Sequence, residues 1–205
     1  MVEKRSFVSS NKKEEVFTKT IEIIEQDRKQ YNYSVDNMQT YAQAIQPHFT
    51  MWVNAMHILG IGGEITEENC RDEMFGLKDE GNHSILCLDY FSQLGEFQLH
   101  HYADGYRIAK QVYQHLKKPM VILAFLIANE LNSGVVEDLE KALSVLGVKD
   151  TTYVDVHKEA DSITSEDGHA IKLLKVLEME NACVEDINMG IQLYRDFYND
   201  IFLKN

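Results

Sequence analysis

Proline is almost absent from this chain: Pro47 and Pro119 are the two in 205 residues, beside eleven glycines. A β-sandwich or barrel needs a turn signal roughly every 8–12 residues and would use more of both. The scarcity therefore points to long helices. Cysteine is nearly as rare. Cys70, Cys87 and Cys183 form an odd, scattered set without C-x-x-C spacing. That argues against a disulfide framework or a cysteine-built zinc site and fits a reducing cytoplasm. Long apolar runs are missing too. The strongest, Met120 to Ala128, falls far short of the ~20 residues that span a bilayer. Residues Met1 to Ser6 lead into the polar stretch Ser9 to Glu15 with no apolar segment after the charges, so no secretory signal is expected. Cations are in short supply: 20 Lys and Arg stand against 33 Asp and Glu, a formal net charge of −13. Such a surface repels phosphate backbones and anionic lipid, so neither nucleic acid nor a membrane is expected as a partner.

What is present is a globular composition, 44% apolar and 26% charged, in a chain of one-domain length. Residues 1–205 read as one all-α domain of seven to nine helices, with residues 1–15 as a flexible start. Val16 to Tyr31 reads as the first helix. Tyr41, Ile45, His48, Trp52, Met56 and Leu59 then recur every three or four residues, widened by Phe49 and Val53. Pro47 should kink or split that stripe, and Gly60 to Gly63 should end it. Thr66 to Phe75 forms a short acidic helix. Asn82 caps the next, which runs to Leu94, and Tyr102 to Leu116 follows. Pro119 suits the first turn of a helix whose interior is Val121 to Ala128. Helices over Val135–Leu146, from Asp150 through Asp161, over His169–Glu180 and over Val184–Phe202 complete the reading.

The informative residues are ionisable groups where the pattern calls for hydrocarbon, because a buried charge is costly unless paired or metal-bound. Glu130 follows the most apolar run and shares a face with Leu123, Ile127 and Leu131; the alternative is a helix-end carboxylate turned to solvent. His157, Asp161 and Thr164 lie at i, i+4 and i+7, presenting a nitrogen and a carboxylate to one point, or else forming a surface hydrogen bond. His83 lies on the face of Leu86, Cys87 and Tyr90, as a ligand or as a satisfied core histidine. Glu73, beside Asp72, is either an inward carboxylate or half of a solvated pair. His48 follows Pro47 inside the apolar stripe.

The order of these motifs resembles a known family. Asn69, Asp72, Glu73 and Gly76, then His83 with Leu86, then Leu94 and Gly95, resemble the N-x-x-D-E-x-x-G … H-x-x-L … L-G segment of heme-oxygenase-like di-iron oxidases and oxygenases. These are fold relatives of thiaminase II and pyrroloquinoline-quinone synthase. Leu123 to Glu130 is similar to that family's next glutamate helix, and Tyr153 to Asp161 to its last H-x-x-x-D-x-x-H helix. The similarity covers roughly Tyr41 to Ala170.

The resemblance implies a heme-oxygenase-like helical bundle. It also implies iron ligands at Glu73, Glu130, His157 and Asp161, with His83 serving a second iron. Two departures fall on that second position. Thr164 stands where the family has a histidine, and Tyr41 to Leu59 contains no acid, leaving Gln46 and His48 as the nearest polar groups. Three carboxylates and an imidazole suit Fe²⁺ or Mn²⁺, so the expected cofactor is iron, mononuclear or di-iron, with manganese as the alternative. The implied function is a non-heme iron oxidase or oxygenase acting on a small, partly apolar molecule, for which Tyr41, Phe49, Trp52, Tyr90, Phe91 and Phe125 could line a pocket. Three other readings stay open: a metal-free small-molecule carrier or pseudo-enzyme, a thiaminase-like hydrolase using Cys87 or Cys183, and a haem protein using His48 or His57. A homodimer is compatible with such a helical domain.

Overall fold

The computed structural model describes residues 10–75, 82–131, 133–160 and 168–203. Among them the chain is all helix, in the order α1 (Ser10–Arg28), α2 (Val35–Ala44), α3 (Gln46–Ile58), α4 (Glu64–Phe75), α5 (His83–Ser92), α6 (Leu99–Tyr113), α7 (Pro119–Glu130), α8 (Ser133–Val145), α9 (Thr152–Ala160), α10 (His169–Met179) and α11 (Val184–Phe202). That makes eleven helices among the described residues against the seven to nine expected. One reason is Pro47. Its ring has no N–H to give, so the Tyr41–Leu59 stripe breaks at Ile45, and the proline sits in the first turn of a new helix, α3. The break leaves Gln46 as the first residue of α3, buried, with its carbonyl accepting from Ser84 Oγ at 2.7 Å.

The bundle is organised around α7. Val121 to Ala128 are without exception fully buried, as expected of a helix that is apolar all round. Each fully buried Val, Leu, Ile or Phe contributes ~1.5–3 kcal/mol. Alongside α7 runs α11, and the two approach closely at Gly190. A Cβ there would stand 2.5 Å from the Val121 carbonyl oxygen and 2.6 Å from Ala124 Cβ. A second close approach joins α6 to α2, where a Cβ on Gly105 would meet the Gln43 backbone at 2.7 Å. Helix α10 packs on both α7 and α4, and α5 on α3, α4 and α9. The elements carrying the ionisable motifs thus surround one end of α7. Trp52, Phe125 and Phe197 meet edge to face inside the core. The aromatic set expected to line a pocket, Tyr41, Phe49, Trp52, Tyr90, Phe91 and Phe125, is buried, and Tyr41 and Phe49 also line a small cavity inside the bundle.

Among the described residues no single helix is long and apolar enough to cross a membrane. Only α7 and α8 taken together reach that length, and they are bent by 47°.

Candidate metal centre

The ionisable groups collect where helices end. Glu73 lies in the last turn of α4 and Glu130 is the last residue of α7, while His83 and His169 are the first residues of α5 and α10. A carboxylate at a helix C-terminus adds to the negative end of the helix dipole, which normally attracts a cation. Neither α4 nor α7 carries a basic residue in its last turn. The local sequence therefore builds a concentration of negative potential with no basic residue in either last turn, although Arg71 of α4 and Lys172 of α10 act on Asp72.

All four side chains are withdrawn from water: Glu73 is 4%, His83 0%, Glu130 3% and His169 1% exposed. Glu130 thus points inward, and Glu73 is no solvated acid. His169 Nδ1 stands 3.7 Å from Glu73 Oε1 and 3.7 Å from Glu130 Oε2. Its Nε2 stands 3.6 Å from Asp72 Oδ2. The second oxygen of Glu73 faces His83 Nδ1 at 3.3 Å. Both ring nitrogens of His83 and both of His169 are buried without a hydrogen bond, as are both side-chain polar atoms of neighbouring Asn69. These separations are long for hydrogen bonds, which peak near 2.9 Å. They match the spacing of donors around a cation: two atoms each ~2.1 Å from one ion stand ~3–4 Å apart at ordinary bond angles. Glu73, Glu130 and His169 place one ligand atom each within 4.8 Å of one another.

The electrostatics describe a cluster in need of a cation. Burial by itself depresses the His169 pKa, but Asp72, Glu130 and Glu73 outweigh it and hold the imidazole up to about 10. A proton on His169 is then the charge that balances the acids. His83 follows the same pattern more weakly: burial lowers it and Glu73 raises it, with a net rise. Burial pushes Asp72 up, but His169 brings it below its usual value. His157 behaves differently. Burial, and then the neighbouring His83, depress it, so it is neutral.

The expected ligand set is only partly gathered. Glu73, His83 and Glu130 come together. His157 is near, its ring 5.1 Å from that of His83, but it lies outside the trio whose ligand atoms converge. Its Nδ1 donates to the Tyr153 carbonyl at 2.8 Å and its Nε2 faces Gln46 Nε2 at 3.4 Å. Asp161 and Thr164 lie outside the described residues. The cluster also contains His169, which sequence reasoning placed only as a helix start. Its spacing to Leu173 and Val176, at i+4 and i+7 on a buried face, was the signal for an inward imidazole.

Beside the trio is a cavity of about 20 Å³, lined by Glu73, Glu130, Gln46, His157, Tyr41, Phe49, Asn129, Val135, Val136 and Tyr198. That is room for about one water or ion.

The other nominated residues sit elsewhere. Cys87 is fully buried, and burial raises its thiol well above the ordinary range while its partner is the Tyr153 hydroxyl; nothing here activates it as a nucleophile. Cys183 is also raised, by burial and then by Asp186. His48 is half-buried and pairs with the Tyr113 hydroxyl at 2.8 Å. His57 lies in the last turn of α3.

Two carboxylate oxygens and an imidazole nitrogen that makes no hydrogen bond, all withdrawn from water, are a donor set suited to Fe²⁺ or Mn²⁺. A comparison with protein-family models finds no match. Comparisons with curated proteins and with solved structures find none either.

Proposed function

We propose that this chain is a non-heme, metal-dependent protein of the oxidase or oxygenase kind, built as a heme-oxygenase-like bundle and acting on a small, partly apolar molecule. It holds Fe²⁺, or Mn²⁺, on Glu73, Glu130 and His169. One observation carries the reading: three buried ligand atoms from three helices lie within 4.8 Å of one another, and the imidazole among them has no hydrogen bond. Unpaired acids there would be expensive, and a divalent cation offsets that cost.

Iron at this point would supply one-electron and O₂ chemistry that side chains lack. The residues do the rest. Glu73 and Glu130 match the charge of one divalent ion. Asp72, facing His169 Nε2, orients the ring so that Nδ1 is the donor turned toward the two glutamates. Phe49, Val135 and Val136 wall the cavity, keeping water from the acids. At about 20 Å³ the cavity admits a molecule the size of water or O₂; an organic substrate enters only when lining side chains shift.

A metal-free binding protein is the second reading, favoured by the His169 pKa of about 10: a bound proton already balances part of the acidic charge. Anaerobic loading with Fe²⁺ followed by metal analysis separates the two. The metal reading expects about one equivalent per chain, lost in Glu130→Gln; uptake below about a tenth of an equivalent by wild-type protein sinks it.

A further inference from the structure

Gln46 lies beside the cluster, against His157. Its side chain is 4% exposed and lines the cavity with Glu73, Glu130 and His157. The hydrogen-bond pattern fixes its orientation. His157 donates Nδ1–H to the Tyr153 carbonyl at 2.8 Å, so its Nε2 carries the lone pair. A lone pair requires a donor opposite it, which puts the Gln46 amide nitrogen at 3.4 Å from His157 Nε2 and 3.0 Å from the Tyr153 hydroxyl. The hydroxyl in turn meets that of Tyr41 at 3.3 Å. Gln46 Oε1 is left buried without a partner.

This lock has a consequence for metal binding. Beyond Glu73 Oε2 the described donors are His83 and His157, both imidazoles, and the lone pair of His157 is already engaged by a neutral amide. Among the described residues Glu73 and Glu130 balance one divalent ion, and Asp72 lies on the far side of His169. A second ion beside His83 and His157 would bring two further positive charges into a space where, among the described residues, no further carboxylate stands.

We infer that Gln46 is a positioning residue that sets the metal count of the cluster: its uncharged amide ties up His157 and confines binding to one divalent ion, on the Glu73–Glu130–His169 side. The inference rests on the proposed metal reading and concerns only the number of ions.

Mn²⁺ titration with metal analysis and electron paramagnetic resonance tests it in the intact chain. Wild-type protein should take up about one equivalent and show the six-line signal of an isolated ion. Q46E places an acceptor where the amide donates, so the Tyr153 hydroxyl turns to it, His157 Nε2 is released and a negative charge is added. Uptake should rise to about two equivalents, with the broad spectrum of a coupled pair. Q46A releases His157 without adding charge and should take up a second equivalent, more weakly than Q46E does. Two equivalents in wild-type protein, or one in a folded Q46E, overturns the role of Gln46 and leaves the metal reading standing. No uptake by either protein overturns both. Should Q46E fail to fold, the wild-type stoichiometry and Q46A decide: two ions in wild-type protein, or only one in a folded Q46A, rejects the inference.

Discussion

Among the described residues, histidine and carboxylate ligand atoms converge in two places: the buried Glu73–Glu130–His169 cluster and a group of Asp36, His100 and His101 at the surface. Residue types are nearly the same, yet the chemistry differs. At the surface, His100 Nε2 and His101 Nε2 stand 2.7 and 2.9 Å from Asp36 Oδ1, ordinary hydrogen-bond lengths. His101 Nδ1 accepts the Gln98 backbone N–H at 2.9 Å, so in the neutral ring the proton sits on Nε2 and points at Asp36. The lone pair of that ring is used to start α6. In the core the corresponding distances are 3.3–3.7 Å and the imidazole nitrogens are unbonded. What distinguishes a ligand set from a structural one is whether its lone pairs are already spent, and whether water has been removed from around them.

The sharpest way to break this contrast is to remove one acid from each cluster. Glu130→Gln keeps the shape and deletes the charge, and should weaken Fe²⁺ or Mn²⁺ binding by about 100-fold or more in calorimetric titration. Asp36→Asn should leave that affinity unchanged. If Asp36→Asn lowers metal uptake as much as Glu130→Gln does, the buried cluster has no special claim.

Stability of the metal-free protein should divide the same way. His169→Ala leaves Asp72, Glu73 and Glu130 without the cation that balances them, and breaking a buried ionic group costs about 3–5 kcal/mol. His101→Ala removes a cap hydrogen bond and a partly screened ion pair, costing about 1 kcal/mol. Urea denaturation of both variants measures the ratio. Near-equal losses would mean that the core acids are satisfied by groups other than His169.

Much of the architecture was legible because it is written in spacing. The all-round apolar run Val121 to Ala128 announced the central helix, and Pro47 announced the break that delivers Gln46. His83 and Glu130 stood out because each interrupts an apolar face; Glu73, on a short acidic helix, stood out by the family motif and not by pattern. His169 was read only as a helix start: first in its helix after Gly168, it has only Leu173 and Val176 downstream to mark its face as buried, and unlike His83 it carries no motif. His157 was legible as a ligand candidate, but its hydrogen bond to Gln46 depends on α3 and α9 meeting across more than a hundred residues. A ligand and a hydrogen-bond acceptor leave the same mark in a sequence; only the partner tells them apart.

The smallest effect expected is also the one in which the clusters have opposite signs. In the metal-free protein His169 has a folded pKa of about 10, against 6.5 for the free side chain, raised by Asp72, Glu130 and Glu73, with His83 the neighbouring imidazole. Its contribution to stability is therefore complete below pH 6.5 and is lost as pH rises through about 10. Asp36 is held below 3.8 by His100 and His101, so its contribution is present above that value and fades as pH falls through the depressed one. Urea midpoints should decline on the alkaline side in wild-type protein and lose that slope in His169→Gln. Asp36→Asn should alter only the acid side, weakly, because the pair is exposed and screened by salt. Bound metal must displace the His169 proton, so its affinity should climb by roughly tenfold per pH unit over the same alkaline window. An affinity flat with pH would place the ion on atoms other than that imidazole.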